Sequence, residues 1–216
     1  MKQYSGRSNR VYLYVLAHDT GYAPNPFHGY CTLACCKPSI RRTARVGDWI
    51  IGLTPRKIGN RLAYAMKVNE VLSFDEYWKD ERFEKKKPNW KSGIKQDEYG
   101  DNCYQPLSNG RYRQMKSQHH DPKTDCGKTD HIQRDLSGVN VLVSYPNNFI
   151  YFGGEARIIP YELQIPKVGI GHRVIEIKQN TALLRYLNEL PRGVNGDPRA
   201  WESEKGSQRN RTQRKC

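Results

Sequence analysis

The apolar positions of this chain fall into short blocks separated by turn-forming residues. VYLYVLA (11–17) is a near-continuous run of β-branched and aromatic residues, which predicts a strand covered on both faces. HDTGYAPNPFHGY (18–30) carries two Gly, two Pro and an Asn and predicts a shaped loop. CTLACC (31–36) is small, apolar and expected to be buried, and Pro38 suits the first turn of a short helix, PSIRRTA. Gly47 and Asp48 predict a turn into a strand, WIIGL (49–53), and a basic loop with Pro55 and Gly59 separates it from a long strand, LAYAMKVNEVL (62–72). Ser73 and Glu76 have the spacing of a capping box, so a helix is expected from 74 to about 83.

From Lys85 to Leu136 the aliphatic pattern disappears. Trp90, Tyr99, Tyr104 and Tyr112 are scattered through a polar stretch, which reads as an irregular insertion ordered in part by its rings. Pattern returns at VNVLVSY (139–145) and FIYFG (149–153). Asn147 and Asn148 lie between them, so the two are expected to form a hairpin. HRVIEIK (172–178) alternates like a half-buried strand, and Asn180 can cap a helix, 181–190, with Leu183, Leu184 and Leu187 on one face. The expectation is α+β: a small mixed β-barrel with short flanking helices, one domain over 1–192 with the insertion at about 85–136. Residues 193–216 read as a basic tail, mobile unless it docks.

Charge narrows the partner class. Lys and Arg number 36 against 22 Asp and Glu, a net charge of +14, above the roughly 2–8 that solubility asks of a small domain. The first 78 residues hold 11 basic and 5 acidic side chains, with Lys37, Arg41, Arg42 and Arg45 crowded together. Such a field favours polyanions, nucleic acid above all. No run approaches the length of a membrane span, and the opening MKQYSGRSNR has no apolar stretch behind its charges. A soluble cytoplasmic protein with no membrane partner is expected. Dinucleotide, Walker, zinc-protease and nucleophile-elbow motifs are all absent.

The APNP (23–26) and LACCKP (33–38) strings are specific. DTGYAPNPF (19–27), then CTLACCKPSIR (31–41) and GDWIIG (47–52), resemble the second type of nucleotide modification associated domain, and FIYFG (149–153) resembles its later motif. The resemblance runs from about 11 to 165. It implies a protein associated with DNA-base modification or phage defence. More loosely, the order strand, short helix, Gly-Asp strand, long strand and acidic helix (FDEYWKDERF, 74–83) is similar to EVE and other PUA-like barrels, which hold a modified base in an aromatic pocket. The 85–136 insertion has no counterpart there.

A base pocket needs flat faces and a few edge-reading groups. Asp19, Tyr22, Asn25, Phe27 and His28 from the 18–30 loop, with Asp48 and Trp49, are the candidates, Pro24 and Pro26 stiffening the loop. Lys37, Arg41, Arg42 and Arg45 are the candidate phosphate contacts. The bland alternatives are a loop plugged by Phe27, a core Trp49, a turn-shaping Asp48 and a solvated basic face. Cys31, Cys35 and Cys36 read as buried thiols. Nucleophilic use of Cys35 or Cys36 would need a base such as His18 or His28. Cys103, Cys126, His119, His120 and His131 match no familiar zinc spacing. No catalytic constellation, metal or cofactor is assigned. The first reading is a reader of a modified base, in DNA or as a nucleotide. The alternatives are an enzyme acting on nucleotides or DNA, and an interaction subunit that contacts another protein of a modification or defence system.

Overall fold

β1 (Arg10–Val15) is covered on both faces, and that explains its unbroken apolarity. In the computed structural model, which describes residues 7–118, 120 and 130–201, it pairs in parallel with β3 (Trp49–Leu53) and antiparallel with β10 (His172–Glu176). Its alternate side chains serve two cores. Val11 and Leu13 point to one, Tyr12 and Tyr14 to the other. The sheet continues through β4 (Leu62–Lys67), β9 (Phe149–Tyr151) and β11 (Gly193–Val194), in the order β10-β1-β3-β4-β9-β11.

The helix α5 (Thr181–Glu189) covers one face, burying Leu183 and Leu187 against Val11, Leu13 and Ile51. A three-stranded sheet covers the other: β2 (Cys31–Leu33), β8 (Asn140–Ser144) and β5 (Glu70–Ser73), ordered β2-β8-β5. Leu33 and Leu142 enter the shared core with Tyr12, Tyr14 and Tyr64. Val141 and Val143, on the opposite face of the same small sheet, receive the insertion.

The small barrel expected from the sequence is corrected here. The six-stranded sheet is open, with β10 and β11 as its edges, and the remaining strands form separate sheets. Two misread connections explain the difference. Residues 62–72 are two strands: after Val68 the chain leaves the large sheet and joins the small one, where Asn69 N–H donates to the Val143 carbonyl (2.8 Å). Residues 139–145 and 149–153 form no hairpin, because β8 lies in the small sheet and β9 in the large. The turn at Pro146–Asn148 carries the chain across, and Tyr145 N–H is held by Asn69 Oδ1 (2.9 Å). Both crossings thus meet at one corner.

The capping box forms as expected. Ser73 Oγ accepts from Glu76 N–H and Ser73 N–H donates to Glu76 Oε2, but α2 (Phe74–Lys79) stops at Asp80, whose side chain starts a 3₁₀ turn by accepting from Arg82 N–H. Within the insertion lie α3 (Lys95–Glu98), a hairpin of β6 (Tyr104–Pro106) and β7 (Tyr112–Gln114), and α4 (Asp130–Leu136). Phe83, Tyr99, Cys103 and Tyr104 bury themselves with Phe74 and Tyr77, so rings rather than aliphatics order this stretch. α1 (Pro38–Thr43) follows a Cys36–Lys37 corner in which both residues have left-handed backbone (φ 59° and 43°). Among the described residues no helix is long and apolar enough to cross a membrane.

Candidate functional site

The 18–30 loop turns its rings inward. Tyr22 is fully buried, its hydroxyl 3.0 Å from Cys35 Sγ and 3.2 Å from Cys103 Sγ. Phe27 stacks on Trp201 (centroids 5.5 Å apart, planes at 18°). Asn25 Nδ2 donates to the Tyr99 carbonyl (2.9 Å), and its Oδ1 accepts from the buried Lys86 ammonium (2.6 Å). Asp19 Oδ1 accepts from Tyr151 Oη (2.5 Å) and Oδ2 from Arg199 N–H (3.3 Å). Burial raises the Asp19 pKa, and the Tyr151 hydrogen bond opposes that rise. His28 is half-buried, 3.3 Å from Asp97 Oδ1, with its pKa lowered by burial and then by Lys86. The loop is therefore a plug, and the ring faces of Tyr22 and Phe27 are spent on packing.

Asp48 and Trp49 take the bland roles. Asp48 receives Arg10 N–H (2.8 Å), Arg45 N–H (2.9 Å) and the Arg7 guanidinium (2.5 Å), which ties the chain start to the turn before β3. Trp49 lies in the core with α5. Neither reaches a pocket with the loop.

The basic cluster divides. Arg41 is fully buried: its guanidinium donates to the carbonyls of Cys36 (2.7 Å), Asn140 (2.8 Å) and Asp135 (2.5 Å). A Cβ placed on Gly138 would lie 2.4 Å from Arg41 Cζ, so only glycine lets the guanidinium pass. Arg41 is a structural clamp and not a phosphate contact. Arg42 is exposed and donates to the Ser137 carbonyl (2.9 Å), and Arg45 is exposed beyond the end of α1. Lys37 alone faces a cavity.

That cavity, about 490 Å³, opens where β1 ends and α1 begins. Leu16, Ala23 and Ile40 give it apolar wall, while His18, Lys37, Arg134 and His172 bring cationic or protonatable groups. Thr20, Cys36 and Ser39 add small polar groups, and no Asp or Glu is among the described residues that line it. Lys37 Nζ sits 4.4 Å from the centroid of the Tyr14 ring. Burial lowers its pKa, with Cys36 opposing. His172 lies against the Tyr12 ring (5.9 Å, planes at 35°), and its pKa is lowered by burial and then by Lys37. Beneath the cleft Tyr14 and Tyr64 hydroxyls share a 2.7 Å hydrogen bond. At the rim the Arg199 guanidinium caps the Ala17 carbonyl (2.8 Å).

The thiols offer little chemistry. Cys35 and Cys103 lie 4.0 Å apart, and burial holds the Cys35 pKa well above its ordinary value. Burial, with Asp135 adding, pushes Cys36 up to about 11. Among the described residues no three His, Cys, Asp or Glu side chains gather as a metal group, and Cys126 and His119 lie outside those residues.

Of the base-pocket and phosphate candidates named from sequence, only Lys37 reaches the cleft, where it is joined by His18 and Cys36, which the sequence offered as a base and a thiol. Thr20 and Ser39 sit inside the 19–27 and 31–41 strings but carry no distinctive chemistry, and Arg134 and His172 come from distant segments that no local motif links to them. Comparison with known proteins returns one family: residues 8–205 match the description nucleotide modification associated domain 2. No curated protein and no solved structure matches the chain.

Proposed function

The chain belongs to the second family of nucleotide modification associated domains, which gives it a role in DNA modification systems, and from that premise we propose that it binds a nucleotide, free or within DNA, in the cleft between β1 and α1. One observation carries the reading: a cavity of nucleotide size brings Lys37, Arg134, His18 and His172 together with no carboxylate in its described lining. The net charge of +14 supports an anionic ligand. The modified base is placed between the imidazoles of His18 and His172 and the apolar wall of Leu16, Ala23 and Ile40, since an imidazole offers a flat face for stacking. This site replaces the aromatic pocket of Tyr22 and Phe27. It keeps the role of a reader, with a setting in DNA modification or phage defence.

Calorimetric titration with plain and base-modified nucleotides and oligonucleotides tests it. Saturable binding selective for one modification, without turnover and lost in a His18→Ala, His172→Ala double variant, is the expected result. Turnover with the wild type replaces the reader by an enzyme. Absence of affinity for every nucleic ligand sinks the proposal and leaves a protein partner as the reading.

A further inference from the structure

We propose that the cleft holds a phosphate monoester, the 5′-phosphate of a mononucleotide or of a strand end, at a subsite formed by Lys37, Arg134 and His172. The inference rests on the nucleotide reading above and deepens it. Three features of the structure support a built anion site.

The first is the corner that presents Lys37. Cys36 and Lys37 are consecutive non-glycine residues in the left-handed region, φ 59° and 43°, a backbone state that such residues hold only under constraint. The surroundings over-determine it. Cys36 N–H donates to Asp135 Oδ1 (2.7 Å), and the Cys36 carbonyl accepts from Arg41 Nε (2.7 Å). What the strain achieves is the placement of the Lys37 ammonium over the Tyr14 ring, at the cleft wall.

The second is charge without a counter-charge. Among the described residues no carboxylate lies within ion-pair distance of Lys37. Burial and the proximity of Lys37 also disfavour a charged His172. A bound anion would relieve both. Lys37, Arg134 and His172 come from the start of α1, from α4 and from β10, and all three line the cleft. A monoester, with three terminal oxygens and nearly two charges, matches that arrangement better than a diester inside a strand.

The third is size. About 490 Å³ is far more than a lone phosphate fills, and Val15, Leu16, Ala23 and Ile40 leave the rest of the wall apolar. The phosphate is then one end of a larger ligand, and a nucleoside is the remainder.

The test compares deoxynucleosides, plain and 5-hydroxymethylated, with their 5′-monophosphates by calorimetry at pH 7. The monophosphate should bind tighter by about tenfold or more, as one added charge-assisted hydrogen bond supplies. In Lys37→Gln the ratio should collapse to within about threefold, since the phosphate contact is lost. Lys37→Arg should keep the ratio, and so should Arg42→Gln, whose side chain lies outside the cleft. Oligonucleotides with and without a 5′-phosphate separate the two sources: a ratio seen there assigns the strand end, and one confined to mononucleotides assigns the free nucleotide. Equal binding of nucleoside and monophosphate, or a ratio that survives Lys37→Gln, overturns the phosphate subsite while leaving the nucleotide reading in place. Failure of all of these ligands to bind takes down both.

Discussion

Arg41 separates a structural account of the basic cluster from an electrostatic one. Arg41→Met keeps the length and bulk of the side chain and removes its five donors. Three carbonyls, of Cys36, Asn140 and Asp135, lose their guanidinium partner, and the Asp135 carboxylate loses a cation 4.0 Å away. Breaking a buried pair by removing one partner costs roughly 3–5 kcal/mol. Asp135 keeps two donors, Cys36 N–H (2.7 Å) and Tyr104 Oη (2.8 Å), which places the expected loss at the lower end, about 3–4 kcal/mol. With a urea slope of roughly 2 kcal/mol/M, the midpoint should fall by about 1.5–2 M. Arg42→Met, removing one exposed hydrogen bond to the Ser137 carbonyl, should stay within about 0.5 kcal/mol of wild type. Tryptophan fluorescence in a urea series reads both. If Arg41→Met unfolds within about 1 kcal/mol of wild type, yet nucleotide affinity falls tenfold in the folded protein, Arg41 contacts ligand and the clamp is wrong.

Two further outcomes follow from the insertion and the chain end. Burial lowers the Lys86 pKa to about 8 from an ordinary 10.5, so the unfolded chain binds more protons between those values and stability should rise with pH across that window, the full cost being present below it. From the amine alone, wild type should gain about 1.4 kcal/mol over Lys86→Met between pH 7 and pH 9; a flat difference in urea stability refutes a buried, depressed amine. Trp201 stacks on Phe27, meets the Tyr99 ring edge-on (5.3 Å) and donates from Nε1 to the Thr20 carbonyl (3.0 Å). Trp201→Ala should therefore cost about 3 kcal/mol and speed hydrogen exchange in the 18–30 loop, and unchanged exchange there contradicts the docking of this segment.

The strands were legible because β-branched and aromatic runs bounded by Gly, Pro and Asn have few other uses. β1, β3, β10 and α5 fall within a residue or two of expectation. The two sheet crossings were not legible. A chain that leaves one sheet at Val68 and enters another at Asn69 keeps an unbroken strand-like pattern, since both sheets have buried faces. Ring-rich loop 18–30 misled for a related reason: stiff aromatic loops bind ligands and also seal cores, and the difference lay in Trp201, more than 170 residues away in sequence. Arg41 and Arg42 are neighbours on a six-residue helix. Which of them faces inward is decided by α4 and β8, not by the helix itself.

The buried Arg41 and the cleft-lining Lys37 belong to one device. The corner at Cys36 and Lys37 is strained, and a strained corner persists only when its neighbours leave it no relaxed alternative. Arg41 supplies that constraint by gripping the Cys36 carbonyl, and Asp135 supplies it from the other side by gripping the Cys36 amide. The same guanidinium reaches the main chain of α4 at Asp135 and of β8 at Asn140, so it ties both elements to the corner that lines the cleft. A lysine at 41 could keep the charge but not three bonds in one plane. On the proposed reading the basic stretch 37–45 contributes in two ways: one basic side chain, Lys37, lines the cleft, and a buried one four residues on, Arg41, holds its corner in place.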